Sequence, residues 1–527
     1  MINIRRVVVA GTTACLITTG VAAQARAVAS TSNPTAAERL VDGYLDQIRG
    51  DAAGLRNFFY ALPKGGDLHN HLSGAASTEL LLRLAVQDGL CIDGTDTAVP
   101  GPCPSGARPA ADTDRDPAFH DEVIRAWSMQ DFVAGAESGH DHFFNAFGKF
   151  GEASWRHPGT LLGEVADTAA KQNQSYLETM ITPASSKAAA LAAKVGFDPD
   201  FAAMRAKLMA DGALDAVVAS ARQDADAGMA EFQTVDHCGT PQATPGCSLT
   251  IRFVSQVSRG SNPARVFTQM LVAMQLASVD PRFVAVNLVQ PEDSQPSLEN
   301  YSLQMRMLDY LHPLYPKAHI TLHAGELTPE LVSPADLAFH IREAVNVGHA
   351  ERIGHGVDVA WEKDAQQLLE DLAAKNVAVE VPLSSNEQIL RVAGDNHPLP
   401  LYREYGVPVV LATDDQGISR IDVSGEYQKA ATRYQLHYWE LKGLARNSLD
   451  YAFVPGQSLW AGPDRTLPVA ECRSFFIADY GLPTCKTFLA ANPKAALEAK
   501  QEQAFAAFES TVLTGRLAGA PAEPRRV

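Results

Sequence analysis

Two histidines separated by one residue, His69 and His71, are the first side chains in this sequence whose type and spacing suggest chemistry. Successive side chains of a β-strand alternate between its two faces, so a strand here places both imidazoles on the same side. Neutral imidazoles are common zinc ligands, and the pair therefore predicts half of a metal site. Taken alone, the spacing also fits two polar residues on an exposed strand face.

Three later segments carry similar residue types directly after short apolar, β-branched runs, the pattern of buried parallel strands. Together they supply imidazoles and carboxylates, the groups that bind zinc and that transfer protons near neutral pH. Singly, each also has a bland explanation, because a carboxylate pair can cap a helix and His-Ala-Gly-Glu can form a turn. The segments are His323-Ala-Gly-Glu326, Arg352-Ile-Gly-His355-Gly356 and Thr413-Asp414-Asp415.

The elements that must position these residues are eight predicted strands that alternate with helix-compatible segments. This alternation predicts an α/β fold, a (β/α)8 TIM barrel with helical and disulfide-stapled insertions. In such barrels the catalytic residues lie at the carboxyl ends of the strands, where all four polar segments are found. The strands are predicted at residues 67–72, 175–181, 250–257, 283–289, 319–324, 352–356, 377–382 and 409–413.

The remainder of the chain divides around this barrel, which we predict at residues 60–455. An N-terminal helical extension is predicted at 26–59, with helical spacing across residues 34–60. Two long connections predict insertions at about residues 91–126 and 184–248, and residues 456–527 predict a helical, disulfide-containing segment with a tail. The aromatic-rich stretch from Trp127 to Phe150 predicts helix core, with one or two rings available to a pocket mouth.

The first 25 residues predict a signal peptide, because Arg5 and Arg6 precede an apolar run that ends in a small-x-small cleavage site, Ala23-Gln-Ala25. The run is too short and too rich in Thr and Gly to favour the alternative, a membrane helix. We expect an exported protein, periplasmic or secreted, without membrane association after cleavage. Loss of the two arginines changes the net charge to −17 − 2 = −19, which disfavours nucleic acid as a partner.

Six cysteines follow the signal, and they form three local pairs. An even number of cysteines in an exported chain is typical of disulfides. A cysteine-based zinc site would favour C-x-x-C spacing, which this sequence lacks. The predicted disulfides are Cys91–Cys103, Cys238–Cys247 and Cys472–Cys485.

Taken together, the motifs resemble those of the adenosine deaminase family within the metal-dependent hydrolase superfamily, over about residues 60–455. Their order and spacing carry the resemblance more than any one of them does. The signal peptide, the disulfides and the stretch at 287–293 are similar to the secreted, growth-factor-type branch of the family. The motifs are Asp67-Leu-His-Asn-His-Leu-Ser-Gly74, His323-Ala-Gly-Glu326, Arg352-Ile-Gly-His-Gly356, Pro382-Leu-Ser-Ser-Asn386 and Thr413-Asp-Asp415.

The resemblance implies a hydrolytic reaction in which zinc-activated water attacks C6 of an adenine ring and ammonia leaves. Glu326 would give a proton to N1 of the ring, which requires a raised pKa for this carboxyl. His355 would orient the attacking oxygen and act as a general base, and Asp415 would take part in a hydrogen bond at N7. The implied ligands of the one Zn²⁺ per subunit are His69, His71, His323 and Asp414.

Substrate contacts are the place where this chain departs from the family. Ser73 stands where an aspartate usually meets the ribose 5′-hydroxyl, and a neutral serine would repel a 5′-phosphate less. Gln290 stands near a glycine whose N–H usually meets purine N3, so either its side chain crowds the pocket or the local register differs by one or two residues. Asn287 replaces an aspartate nearby. We expect Ser73 and Gln290 to contact the substrate, and they leave adenosine monophosphate and N6-substituted adenine nucleosides open as substrates.

The function expected from the sequence is zinc-dependent deamination of adenosine or 2′-deoxyadenosine outside the cytoplasm, with a small purine nucleoside as partner. The alternative within this chemistry is deamination of another adenine compound. A two-metal barrel hydrolase with a lysine at the fourth strand is disfavoured, since residues 287–290 contain no lysine. A secreted binding or signalling module with a vestigial barrel would not need the complete ligand set. Arg352 is expected to form a structural ion pair.

Overall fold

The computed structural model describes residues 33–463, 465–474, 483–517 and 519. Eight parallel strands form a nearly closed barrel flanked by helices, which confirms the predicted (β/α)8 fold. The predicted signal peptide, residues 1–25, lies outside the described residues. The barrel strands are β1 Gly65–His71, β2 Gln174–Ile181, β3 Thr250–Ser258, β4 Phe283–Val289, β5 His319–Ala324, β6 Arg352–His355, β7 Ala378–Val381 and β8 Val409–Leu411.

Hydrogen bonding joins the barrel strands in chain order from β1 to β8. The barrel is then brought together by a parallel bridge between Asn70 and Asp414. The Asp414 N–H donates to the His69 carbonyl at 2.8 Å, and the His71 N–H donates to the Asp414 carbonyl at 3.2 Å. The contact that draws the first and last strands together therefore places Asp414 beside both histidines of β1.

The helices of the first half include the N-terminal extension and both long insertions. They are α1 Ala36–Ile48, α2 Ala52–Ala61, α3 Leu72–Ala75, α4 Thr78–Gln87, α5 Pro117–Ala126, α6 Gly139–Ser154, α7 Pro158–Lys171, α8 Ser185–Val195, α9 Phe201–Met209 and α10 Ala213–Val235. A small antiparallel sheet, formed by Cys91–Ile92, Ala98–Val99 and Arg108–Pro109, belongs to the first insertion.

The helices of the second half alternate with the later strands and then cover the end of the chain. They are α11 Pro263–Val279, α12 Gln295–Leu311, α13 His340–Asn346, α14 Ala365–Lys375, α15 Leu383–Leu390, α16 Leu399–Glu404, α17 Gln416–Ser419, α18 Val423–Arg433, α19 Tyr438–Asp450, α20 Pro483–Ala491 and α21 Pro493–Leu513. Among the helices of the described residues, none combines the length and the apolar character that crossing a membrane requires.

Two local features complete the comparison with the sequence-based predictions. The helical spacing across residues 34–60 is divided between α1 and α2, because Gly50 separates them and the Asp51 carboxylate accepts the Ala53 N–H at 3.1 Å as an N-cap. The three predicted disulfides are present: Cys91–Cys103, Cys238–Cys247 and Cys472–Cys485.

The amino end of the barrel is closed by packed, paired side chains. The guanidinium of Arg352 donates to carboxylate oxygens of Glu178 and Glu380, each at 2.5 Å, as expected for a structural ion pair. The Phe453 ring lies 3.8 Å from this guanidinium and packs against an apolar cluster inside the barrel. A ligand therefore has to approach from the carboxyl end.

Candidate active site

Four of the predicted site residues converge at the carboxyl ends of β1, β5 and β8. The Nε2 atom of His323 lies 3.1 Å from that of His69 and 3.3 Å from that of His71. Asp414 Oδ1 lies 3.4 Å from His69 Nε2 and 3.2 Å from His71 Nε2. All four side chains are buried. The sequence separates them by up to 345 residues, and the barrel brings their ligand atoms to one point.

These distances fit a single small cation. Tetrahedral ligands about 2.0–2.1 Å from zinc are about 3.3–3.4 Å from one another, close to the separations in this cluster. Three imidazole nitrogens with one carboxylate oxygen form a ligand set that suits zinc. A cation would also offset the buried charge of Asp414.

The Nδ1 atom of each ligand histidine faces a side-chain oxygen, which orients the ring. An oxygen acceptor at Nδ1 keeps the proton on that nitrogen and leaves the Nε2 lone pair directed at the metal position. No local motif reveals these partners, because each comes from a different barrel strand. The pairs are His69–Glu380 at 2.7 Å, His71–Gln256 at 2.5 Å and His323–Asn287 at 2.9 Å.

The motif at residues 382–386 supports the site from α15. Ser385 Oγ donates to Asp414 Oδ2 at 2.7 Å, which holds the outer oxygen of this carboxylate. The carboxamide of Asn386 lies 2.9 Å from His355 Nδ1. His355 Nε2 is buried and has no partner among the described residues. Because burial lowers the pKa of His355 to about 4, against an opposite effect of Asp414, the ring is neutral.

The surroundings of the two remaining carboxyls, Glu326 and Asp415, raise their pKa values and so favour the neutral form. Burial raises the pKa of Glu326 well above its usual value, and the negative charges of Asp414 and Glu292 raise it further. Burial and Asp414 also raise the pKa of Asp415, whose Oδ1 atom has no partner among the described residues. Gly74 permits this arrangement, because a Cβ at that position would lie 1.9 Å from Asp415 Oδ1.

A cavity of about 340 Å³ opens onto this cluster, the size of a site for a small ligand. One wall is aromatic, since α6 contributes Phe143, Phe144 and Phe147. Ser73 and Gln290, the predicted substrate contacts, line it as well, together with six of the seven residues assigned to metal binding or catalysis. The seventh, His69, lies behind them. None of the lining residues is a lysine or an arginine.

Gln290 does not crowd the cavity in the way its size suggests. Its Oε1 atom accepts the Gly260 N–H at 2.9 Å, so the side chain lies along the wall. Its φ of 94° is unusual for a residue other than glycine, and such strain persists where the surrounding structure enforces it. His355 and Asp414 also have positive φ angles, 68° and 58°.

At the level of sequence, the family model and the individual relatives that match this chain belong to one family. The adenosine deaminase family model matches residues 159–459, more than half of the chain. An adenosine deaminase of Aliivibrio fischeri is 34% identical over 176 residues, which are 33% of this chain and 47% of that protein. An adenosine deaminase of Pectobacterium atrosepticum is 30% identical over 269 residues, 50% of this chain and 67% of that protein. The match thus spans about half of the first relative's length.

Solved structures share the fold at lower sequence identity. The apo N6-methyl-AMP deaminase of Arabidopsis thaliana aligns with a TM-score of 0.50 at 20% identity, covering 76% of this chain and 94% of its own. An amidohydrolase from Burkhoderia ambifaria, solved with bound Zn, aligns with a TM-score of 0.50 at 17% identity, covering 88% and 95%. At these identities the alignments support the barrel fold.

Proposed function

Because the chain belongs to the adenosine deaminase family, we propose that it catalyses zinc-dependent hydrolytic deamination of adenosine or 2′-deoxyadenosine to the inosine form and ammonia. The observation that carries this proposal is the buried cluster of His69, His71, His323 and Asp414 at the base of a cavity. The same cavity presents proton-transfer groups of the type that adenine deamination needs.

The chain's own residues have distinct parts in this reaction. A divalent cation held by the four ligands would supply Lewis-acid activation of a water molecule at neutral pH. His355 presents its unpartnered, neutral Nε2 to the cavity, where it orients the attacking water and accepts a proton. Glu326, protonated in its buried setting, gives a proton to N1 and makes C6 electrophilic. Asp415, also protonated, donates a hydrogen bond to N7.

The charge of the cavity favours a nucleoside over a nucleotide. Of its three lining carboxyls, only Asp414 is charged, and it faces the metal position; no lining residue is a lysine or an arginine. Placing a phosphate against this wall costs desolvation energy that no basic side chain offsets. The aromatic wall of α6 suits a flat, neutral base and excludes water from it. Ser73 adds no negative charge that would repel a 5′-phosphate, so adenosine monophosphate is the competing candidate substrate.

The test is a comparison of substrates with the mature, zinc-loaded chain. Ammonia release is measured for adenosine, 2′-deoxyadenosine, N6-methyladenosine, adenosine monophosphate and N6-methyl-adenosine monophosphate. We expect the unphosphorylated nucleosides to be turned over at the highest kcat/KM. A preference for a monophosphate would transfer the proposal to nucleotide deamination, and the absence of turnover with every compound would refute a deaminase function.

Export is part of the same proposal. The predicted signal at residues 1–25 supports it, as do the disulfides, which persist in oxidising compartments. Fractionation followed by N-terminal sequencing should find a periplasmic or secreted chain that begins near residue 26. A cytoplasmic chain that retains its first 25 residues would contradict export without affecting the proposed reaction.

A further inference from the structure

The segment that carries Glu326 leaves the sheet at the end of β5, so its backbone groups need partners elsewhere. Just before the turn, the His323 N–H donates to Asn287 Oδ1 at 3.0 Å, and Arg259 donates to the His323 carbonyl at 3.2 Å. The next two free donors, the N–H groups of Gly325 and Glu326, both bind one carboxylate. That carboxylate is Glu292, with Oε1 3.1 Å from the Gly325 nitrogen and Oε2 2.8 Å from the Glu326 nitrogen.

The Glu292 side chain is itself held in place by a buried neighbour, His340. Its side chain is fully buried, and His340 Nδ1 lies 2.6 Å from Oε1. The His340 ring stacks on Tyr301 with centroids 3.7 Å apart and an interplanar angle of 8°, so its direction is set by packing. The His340 contact holds the pKa of Glu292 below its usual value against the effect of burial, and the carboxylate is therefore ionised. Charge-assisted hydrogen bonds of this kind are short and directional.

The turn is also held from its other side. Gly325 has a φ of 76°, and a Cβ there would lie 2.4 Å from Asp358 Oδ1 and 2.8 Å from Ile341 Cδ1. The Gly325 carbonyl accepts the Val357 N–H at 2.7 Å. The peptide before Glu326 is thus held on one side by the segment that follows β6 and on the other by Glu292.

We propose that Glu292 is a positioning residue, whose carboxylate holds the Gly325 and Glu326 backbone so that the Glu326 carboxyl stays directed into the cavity. Glu292 is not among the residues that line the cavity, so it acts through Glu326 and does not touch the substrate. Its catalytic consequence rests on the proposed function, whereas its hold on the backbone rests on the hydrogen bonds alone. A displacement of about 1 Å at a reacting group can cost about 100-fold in rate.

The direct test is Glu292→Gln, compared with Glu231→Gln as a matched control. Glutamine keeps the size of the side chain but turns an NH2 group towards one of the two backbone donors. Glu231 makes the same pair of bonds, to the N–H groups of Gly159 at 3.0 Å and Thr160 at 3.1 Å, at the start of α7. We expect Glu292→Gln to lower kcat by about 10–100-fold with KM changed less than about threefold.

The control should change kcat less than about twofold, and both variants should bind as much zinc as the wild type. An equal loss of kcat in the two variants, or a loss expressed in KM alone, would contradict a positioning role for Glu292. Because an unfolded fraction would lower the apparent kcat without changing KM, kcat is calculated per zinc-loaded molecule in all three proteins.

Backbone hydrogen exchange tests the same inference without any enzymatic activity. In the zinc-loaded protein, we expect peptides covering residues 323–328 to exchange about tenfold faster in Glu292→Gln than in the wild type or in Glu231→Gln. Unchanged exchange there would overturn the inference. If the wild type deaminates no adenine compound, the proposed function fails, but this measurement still decides whether Glu292 holds the turn.

A second variant covers the case in which Glu292→Gln does not fold. His340→Gln leaves both backbone hydrogen bonds in place but removes the stacked ring that aims the carboxylate. We expect about threefold faster exchange in the same peptides and about threefold lower kcat. Wild-type values for both would refute the chain of contacts from His340 through Glu292 to Glu326.

Discussion

The two ends of the barrel both bury charged groups, but only one of them pairs its charges completely. At the amino end, Arg352 lies between Glu178 and Glu380, and all four carboxylate oxygens have donors. At the carboxyl end, His355 Nε2 and Asp415 Oδ1 are buried without partners in the described part of the chain. Leaving a buried polar atom unpaired costs free energy, so the second arrangement is retained for something other than stability.

Backbone conformation follows the same division. At the carboxyl end of the barrel, His355 and Asp414 adopt positive φ angles, and so does Gln290 in the cavity wall. Such conformations cost about 1–3 kcal/mol each and cluster where function requires them. Glu380 connects the two ends. One of its carboxylate oxygens accepts a hydrogen bond from Arg352 at the amino end, and the other faces His69 Nδ1 at the carboxyl end. The paired amino end therefore provides the rigid base on which the strained, unpaired site is held.

The strongest test of this contrast is Glu326→Gln at the carboxyl end. The substitution removes the proton donor without changing the volume of the side chain, and we expect kcat to fall about 1,000-fold or more. Zinc content should be unchanged, and the unfolding temperature unchanged or higher, because an ionisable buried group is replaced by a neutral one. Turnover near the wild-type rate would remove Glu326 from its proposed role and with it the functional meaning of its raised pKa.

The matching test at the amino end is Arg352→Met, where we expect a stability effect. Two buried carboxylates lose their common partner, and breaking a buried pair in this way costs about 3–5 kcal/mol of unfolding free energy. Lys171→Met, which removes a half-exposed pair with Asp167, should cost less than about 1 kcal/mol. Urea unfolding measures both. Similar small losses would show that the amino end is not the rigid base described above.

Ser385→Ala examines a contact that belongs to the carboxyl end but serves the metal position. Removing the hydroxyl frees one oxygen of Asp414 while all four ligand residues remain. Contacts of this kind to metal ligands typically contribute about 10–100-fold in metal affinity. Competition for zinc with a coloured chelator would reveal a loss in that range. An unchanged affinity would mean that the bridge to β1 alone orients Asp414.

The sequence predicted the strands and the convergence of the candidate metal ligands because both depend on local patterns. β-branched runs mark buried strands wherever they occur, and His69, His71, His323 and Asp414 lie directly at predicted strand ends. The three disulfides were predictable because the six cysteines after the predicted signal form three pairs that are close in sequence. The break between α1 and α2 was also visible in principle, since Gly50 and Asp51 form a recognisable helix end and N-cap.

The partners that orient the site were not predictable in the same way. Glu380 meets His69 across 311 residues, and Glu292 meets the Glu326 nitrogen across 34. Which side chain faces which depends on strand register and on loop conformation, and neither is written in a local motif. Gln290 shows that side-chain direction was not predictable either. Its size suggested a crowded cavity, whereas its hydrogen bond with the Gly260 N–H directs the side chain along the wall.

A pH-dependent effect is expected at a buried carboxyl of the C-terminal segment, that of Glu498 in α21. It accepts the Ser458 hydroxyl at 3.1 Å and the Leu459 N–H at 2.6 Å, yet burial raises its pKa to about 7. Below about pH 4 the group is protonated in both states, so it imposes no penalty. As the pH rises towards 7, the unfolded chain releases this proton first, and the folded protein loses stability.

Above pH 7 the loss is complete, and it amounts to roughly 3 kcal/mol at most, by about 1.4 kcal/mol per unit of pKa difference. Glu498→Gln keeps the acceptor oxygen for Leu459 and cannot ionise. We therefore expect the variant to gain unfolding free energy relative to the wild type as the pH is raised from 5 to 8, measured by urea unfolding. Parallel pH profiles would show that the hydrogen bonds from Ser458 and Leu459 keep the carboxylate ionised.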